Sequence, residues 1–213
     1  MTDATVHVVD DDASFRESVA RLLVASGYQV DLYDSAIQFL ETAKLGMYGC
    51  VLLDVRMPGI TGLQLQQRLA EMRKALPIIF ISGHGDIPTS VRAMKAGAED
   101  FLTKPVAMPA LLNAIGSALE RDRQSRAQAK RLEALRSRYD TLTPKECEVF
   151  ALIVRGKLNK QTADTLGSSE RTVKWHRHNI MEKLGVQSLA ELVSFSEHLG
   201  LLNESGSGPA KQG

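Results

Sequence analysis

Between residue 5 and about residue 118, short β-branched and apolar runs alternate with longer segments whose apolar residues recur every three or four positions. That alternation predicts a parallel sheet covered by helices, because buried parallel strands read as continuous apolar runs and their crossovers as amphipathic helices. Strands are expected at 5–10, 29–33, 50–54, 77–82 and 99–103. Ser14 followed by Glu17 predicts a capping box, Phe15, Val19, Leu22 and Leu23 supply the apolar stripe behind it, and Gly27 ends that helix. Further helices are expected at about 35–44, 62–74, 88–97 and from 107 onward. Together these elements make an α/β, flavodoxin-like (βα)5 domain.

The pattern then changes. Residues 119–140 hold no Gly or Pro, few apolar residues and many charges, which predicts an extension of the fifth helix with a short seam at Leu132, Leu135 and Tyr139. From 141 onward strands are absent and four helix starts follow in close order. Thr143, Pro144 and Glu146 make an N-cap, a first-turn proline and a capping-box acid, with Gly156 as the stop. Asn159 is expected to cap a short helix ending at Gly167, Ser169 the next one running to Gly185, and Ser188 with Glu191 a fourth. The division this predicts is a domain at 1–120, a helical linker at 121–140, an all-α four-helix domain with a helix-turn-helix at 141–200, and a disordered Gly/Ser-rich tail at 201–213.

Length and composition agree with that division. A chain of 213 residues accommodates two domains that each bury a core, and 44% hydrophobic with 24% charged content is ordinary for a globular protein. No apolar run approaches the roughly 20 residues of a spanning helix, so no membrane partner is expected. The N-terminus is acidic and enters a strand at once, without the basic and apolar regions of a secretion signal, so a cytoplasmic location is expected. Cys50 and Cys147 stand far apart without CxxC spacing, which argues against a disulfide framework or a zinc site. Residues 120–140 carry seven Lys/Arg against four Asp/Glu, so a basic surplus begins at the linker, where it hints at nucleic acid without establishing it.

The candidate chemistry lies where the strands end, because ligands of a doubly wound sheet bind beyond the carboxyl ends of its strands. The first strand ends in Asp10, Asp11 and Asp12, the third in Asp54, the fourth in Ser82, and the fifth leads to Lys104 and Pro105. Carboxylates converging from neighbouring strands repel unless a cation sits between them, and a hard divalent ion such as Mg²⁺ takes oxygen ligands while leaving room for phosphate. An Asp carboxylate there can act as nucleophile toward phosphorus, with the ion and the Lys104 ammonium neutralising the incoming group and Ser82 donating a hydroxyl bond.

The stretches VVDDD, LLDVRMPGITG, FISGHGD and AMKAGAEDFLTKP resemble, in order and spacing, the receiver domain of two-component response regulators over about residues 5–118. The resemblance implies that Asp54 accepts the phosphoryl group and that Asp11, Asp54 and the Arg56 carbonyl ligate the metal, with Asp10 acting through water. It further implies that Ser82 and Lys104 contact the phosphoryl group and that Phe101 rotates when Ser82 is drawn inward. Arg56 and His84 are candidates for setting water access.

On the helix after Ser169, Val173, Ile180 and Leu184 share an inner face, while Arg171, Lys174, Trp175 and His178 gather on the opposite one. A basic face with one aromatic suits a major groove, and the preceding helix, carrying Lys160, completes a helix-turn-helix. His176 is expected to pack against a neighbouring helix and Arg177 to reach a phosphate. The stretch LTPKECEVFALIVRGKLNKQTADTLGSSERTVKWHRHNIMEKLGVQSLAELV resembles the LuxR-type DNA-binding domain. Leu158 and Thr162 depart from it where the family more often has Ser and Ile or Val. The whole order is similar to the FixJ/NarL group, with VHVVDDD, GHGD and RHNIMEKL leaning to the FixJ branch. That likeness implies a sensor histidine kinase, double-stranded promoter DNA and RNA polymerase as partners, a homodimer on phosphorylation, and DNA contacts from Lys160, Arg171, Thr172, Lys174, Trp175, Arg177 and His178.

Two other classes share parts of this pattern. A phosphotransfer enzyme working through an aspartyl-phosphate would typically place a second Asp two residues after the nucleophile, where this chain has Arg56. A receiver joined to a protein-binding helical adaptor would not need the basic face around Lys174. Neither external turnover nor an adaptor role is the expectation.

Overall fold

The computed structural model describes residues 4–72, 76–83 and 87–202. The predicted tail beyond 202 and His84 lie outside the described residues. Five strands form one parallel sheet in the order β2-β1-β3-β4-β5, with β1 at Thr5–Val9, β2 at Gln29–Tyr33, β3 at Gly49–Asp54, β4 at Ile78–Ser82 and β5 at Asp100–Thr103. Each strand lies within one residue of its predicted bounds. The central strands β1, β3 and β4 are buried along their whole length, as strands covered on both faces must be.

Alternation along the strands divides the core in two. Val6, Val8, Cys50 and Leu52 pack with Val19 and Leu23 of α1 (Ala13–Ala25) and with Leu111, Ala114, Ile115 and Ala118 of α5 (Met108–Tyr139). On the other face Val9, Val51 and Leu53 meet Phe39 of α2 (Ala36–Thr42), Leu65 and Leu69 of α3 (Gly62–Glu71) and Ala93 of α4 (Ile87–Lys95). The predicted Ser14 cap of α1 is corrected: Asp12 is the N-cap, its carboxylate accepting from Ser14 N and Phe15 N. With three acidic residues before the helix, the nearest carboxylate in extended backbone takes the role that a serine inside the first turn cannot.

Helix α5 runs unbroken through the segment expected to extend it. Chain contacts separate one unit ending at Arg126 from a second beginning at Ala127. The first unit keeps the opening of the expected linker because Asp122, 2% exposed, accepts from Gly49 N at 3.1 Å and from Arg126 Nε at 2.7 Å. The Arg126 guanidinium then caps the carbonyls of Gly46 and Met47 at 2.9 and 2.5 Å.

The second unit packs α6 (Pro144–Ile153), α7 (Asn159–Leu166), α8 (Glu170–Leu184) and α9 (Leu189–His198) around Val149, Phe150, Ile153, Val173, Ile180, Leu184 and Leu192. Leu135 and Tyr139 join that core. Thr143 and Glu146 form the predicted capping box, and Glu146 also pairs with Lys183 at 2.6 Å. Burial opposes the charge on Glu146, but Lys183 and the Thr143 amide prevail and hold its carboxyl below the ordinary range. Asn159 is not the cap of α7: Leu158 occupies that position and the Gln161 side chain accepts from its amide, while Asn159 Oδ1 accepts from Arg177 on α8. Gly167 turns the chain between the two helices at φ 58°, a left-handed conformation that a side chain would strain.

Candidate functional site

Strand register brings the predicted polar residues to one edge of the sheet. Val9 is opposite Leu53, Asp54 opposite Ile81, and Ser82 opposite Thr103, so Asp10, Asp54, Ser82 and Lys104 all emerge at the carboxyl ends of adjacent strands. The Lys104 ammonium spans the pocket, 2.6 Å from Asp10 Oδ2 and 2.9 Å from Asp54 Oδ1. Both carboxylates are buried, at 1% and 6% exposure, whereas Asp11 and Arg56 are exposed. Their remaining oxygens are occupied: Asp10 Oδ1 accepts from Asp12 N at 2.9 Å and Asp54 Oδ2 from Arg56 N at 2.5 Å. The Arg16 guanidinium caps the Asp10 carbonyl at 2.6 Å.

Burial pushes the Asp10 carboxyl above its ordinary value, against the opposing pull of Lys104 and the Asp12 amide. Burial also disfavours the Lys104 charge, yet the two carboxylates outweigh it and raise the ammonium's pKa. The pocket therefore holds two buried carboxylates against one cation, a surplus of negative charge made of hard oxygen donors. That chemistry fits Mg²⁺. Among the described residues no three His, Cys, Asp or Glu side chains are gathered as a metal site, and Asp11 is exposed.

The surroundings position the acceptor closely. Gly62 at the start of α3 donates its amide to Val55 O at 3.0 Å, and a Cβ there would be more than an ångström inside ordinary contact with the Asp54 carbonyl. Phe101 is half-buried with its ring centroid 6.2 Å from that of Phe80, and Ser82 is buried at 2% exposure. Phe15, read in the sequence only as part of an apolar stripe, lies with its ring centroid 4.1 Å from the Lys104 Nζ and adds a cation–π contact. No local sequence signal links residues that far apart. A cavity of about 420 Å³ along β2, lined by Thr5, Asp31, Tyr33 and Lys44 among others, shares no residue with this pocket.

On α8 the two predicted faces separate. Val173, Ile180 and Leu184 are buried, while Arg171, Thr172, Lys174, Trp175 and His178 are exposed, Trp175 at 59%. Ser169 caps the helix through Thr172 N at 3.1 Å, and the two hydroxyls bond each other at 2.8 Å. Lys160 is exposed on α7. Arg177, expected to reach outward, is half-buried and ties α8 to α7 through Asn159 Oδ1 at 2.9 Å. His176 is half-buried, with its ring 4.9 Å from Trp175.

An acidic pocket closed by a lysine on a five-stranded doubly wound sheet, followed by an exposed basic helix in a helix-turn-helix, defines a signal receiver joined to a DNA-binding domain. Comparison with known proteins agrees. The family described as "Response regulator receiver domain" matches residues 6–116, and "Bacterial regulatory proteins, luxR family" matches residues 140–196. The chain is 45% identical over 196 residues to Response regulator protein TodT of Pseudomonas putida, covering 92% of this chain and 86% of that protein. It is 40% identical over 193 residues to Transcriptional regulatory protein FixJ of Rhizobium meliloti, covering 91% and 95%. Among solved structures it resembles the response regulator StyR with TM-score 0.82 and 47% identity, covering 92% of this chain and 99% of that one. Full-length FixJ from B. japonicum matches with TM-score 0.58 and 38% identity, covering 95% and 100%.

The chain belongs to the two-component response regulators with a LuxR-type DNA-binding domain, in the FixJ branch of the FixJ/NarL family. It is a DNA-binding transcriptional regulator whose receiver implies a histidine kinase partner. Receiver domains bind Mg²⁺ at this acidic pocket. No helix among the described residues is long and apolar enough to cross a membrane.

Proposed function

We propose that a sensor histidine kinase phosphorylates Asp54 and that this modification switches the chain's grip on promoter DNA. The observation supporting the reading is the Lys104 ammonium shared between the buried carboxylates of Asp10 and Asp54 at 2.6 and 2.9 Å. One Asp54 oxygen attacks the phosphorus of a phosphohistidine. The P–N bond breaks, its electron pair stays on the imidazole nitrogen, which takes a proton from water, and an acyl phosphate remains on Asp54. Lys104 and the Ser82 hydroxyl then contact the phosphoryl oxygens. Asp11, Asp54 and the Arg56 carbonyl would hold Mg²⁺ directly and Asp10 through water, and the ion supplies charge neutralisation at the phosphoryl group. Inward movement of Ser82 draws Phe101 with it and rearranges α4 and β5.

The receiver keeps the start of the expected linker as far as Arg126, the rest of that linker runs to residue 140, and the DNA-binding domain covers 141–200. Paired receivers present two α8 helices to successive half-sites, with Lys160, Arg171, Thr172, Lys174, Trp175 and His178 at the duplex, while Arg177 braces α8 against α7 through Asn159. The homodimer engages RNA polymerase in the cytoplasm, and the phosphoryl group leaves by hydrolysis without turnover of an external substrate.

The test is a gel shift of wild type and Asp54→Asn, with and without a small phosphodonor and Mg²⁺, alongside mass spectrometry of the treated protein. Donor-dependent binding in wild type alone, with the added mass on Asp54, is the expected result. Donor-dependent binding that survives in Asp54→Asn removes the assignment.

A further inference from the structure

Away from the acidic pocket, a buried amide bridges α3 and α4. Gln66 lies on the inner face of α3 beside Leu65 and Leu69 and is 4% exposed. Its Nε2 donates to the carbonyl of Ala93 on α4 at 3.2 Å. The amide's orientation follows from chemistry, since a carbonyl only accepts. Its Oε1 is buried with no partner among the described residues. An apolar side chain of the same length would avoid that cost, so the glutamine's contribution is to hold a position rather than to add burial.

What it holds is a lightly fixed helix. Of the nine residues of α4 only Thr89 and Ala93 are buried, while Ile87, Val91 and Met94 are exposed apolar side chains. A cleft of about 410 Å³ is lined by Leu63, Gln66, Gln67 and Ala70 of α3 together with Arg92 and Ala96. The Ala93 carbonyl also accepts from Ala98 N at 3.1 Å, so the Gln66 bond falls on the group that closes the C-terminal end of α4 before the chain enters β5. At its other end α3 is moored to the acceptor strand by the Gly62 amide on Val55 O at 3.0 Å.

We propose that Gln66 is a positioning residue for the switch: its amide latches the C-terminal end of α4 to α3 in the arrangement that belongs to unmodified Asp54. Both Asp54 oxygens are bonded as a free carboxylate accepts, one from Lys104 and one from Arg56 N, so the position of α4 seen here accompanies the unmodified acceptor. Rearrangement of α4 requires the Gln66–Ala93 bond to open. The inference rests on the phosphorylation of Asp54 proposed above, and the Asp54→Asn control separates failure of that reading from failure of the latch.

The test uses the full chain with Gln66→Met and Gln66→Leu, which keep the buried volume and remove the donor. One neutral hydrogen bond biases such an equilibrium by about 2- to 10-fold. DNA affinity without phosphodonor is therefore expected to rise by about that factor, while affinity after full phosphorylation and the rate of Asp54 phosphorylation stay at wild-type values. A purely structural role would lower the melting temperature and leave the ratio of the two affinities unchanged, which overturns the proposal, as does a fall in donor-free affinity. In wild type, ¹⁵N signals of the Gln66 side-chain amide give a measurement free of mutation. Its protons should exchange several-fold faster once phosphodonor and Mg²⁺ are added, and protection that is equal in both states refutes the latch even where Asp54 proves to be the acceptor.

Discussion

Gly62 offers a sharp test of how the fold positions the acceptor. A Cβ added there would press more than an ångström inside ordinary contact with the Asp54 carbonyl oxygen and would lie 3.0 Å from Phe80 Cε1. Neither neighbour can swing aside: one is backbone of the central strand and the other a fully buried ring. Gly62→Ala must therefore separate the start of α3 from the end of β3 by about 1 Å, at an overpacking cost of about 1–3 kcal/mol. The Asp54 Oδ1 to Lys104 Nζ distance of 2.9 Å tolerates no such displacement, because another ångström takes it beyond hydrogen-bond range. Misplacement of a reacting group on that scale lowers rates by up to about 10²-fold. Stopped-flow phosphorylation with a small phosphodonor should show a 10- to 100-fold slower reaction, roughly, and urea unfolding should show the loss of stability. Gly46→Ala, where a Cβ meets nothing within 4 Å, is the matched control and should remain at wild-type values. A Gly62→Ala protein that phosphorylates at the wild-type rate would refute the placement of the acceptor against α3.

Arg126→Ala should destabilise the receiver by about 2–4 kcal/mol, since it strands the buried Asp122 carboxylate, whereas Asp122→Asn, which still accepts from Gly49 N, should cost about 1–2 kcal/mol. Urea unfolding followed by circular dichroism, with the sole Trp175 reporting the helical unit separately, checks that order; a reversed order would sink the reasoning. His7 is 1% exposed and burial holds its pKa below 6.5 despite nearby Asp31, so the unfolded chain takes up a proton that the folded one refuses. Receiver stability should be fully present above about pH 6.5 and fall as pH drops toward the depressed folded value, a slope that His7→Phe should remove. On the DNA side, Lys174→Ala should reduce the salt slope of duplex binding by about 1, while Arg177→Ala should lower the helical unit's melting temperature by releasing Asn159. Equal melting temperatures for Arg177→Ala and wild type would instead return Arg177 to the phosphates.

The sheet was legible because a strand covered on both faces carries an uninterrupted apolar run, and Cys50 to Leu53 or Ile78 to Ile81 resemble no other element of that length. The acidic pocket was legible for the related reason that parallel strands deliver all their C-terminal ends to one edge, so Asp10, Asp54, Ser82 and Lys104 converge once the order is known. What stayed hidden depends on partners distant in sequence. Asn159 looks like a cap until Arg177, eighteen residues on, claims its side chain. Gln66 and Asp122 are ordinary polar helix residues in the sequence, and only packing against α4 and against the turn before β3 makes each a buried tie. Asp12 against Ser14 was a local choice between adjacent acceptors, which backbone dihedrals decide and composition does not.

Lys104 also sets how the pocket must respond to a new charge. Its ammonium now serves Asp10 and Asp54 together, and burial disfavours the charge on Asp10. A phosphoryl group on Asp54 converts a monoanion into a group of roughly twice the charge and presents new oxygens to the same ammonium. If Lys104 turns to those oxygens, Asp10 loses its only cationic partner in the pocket among the described residues and keeps just the Asp12 amide. Two buried carboxylate-derived groups cannot be satisfied by one lysine, so stable phosphorylation at Asp54 and occupancy of the pocket by a divalent cation should favour each other, each supplying what the other lacks.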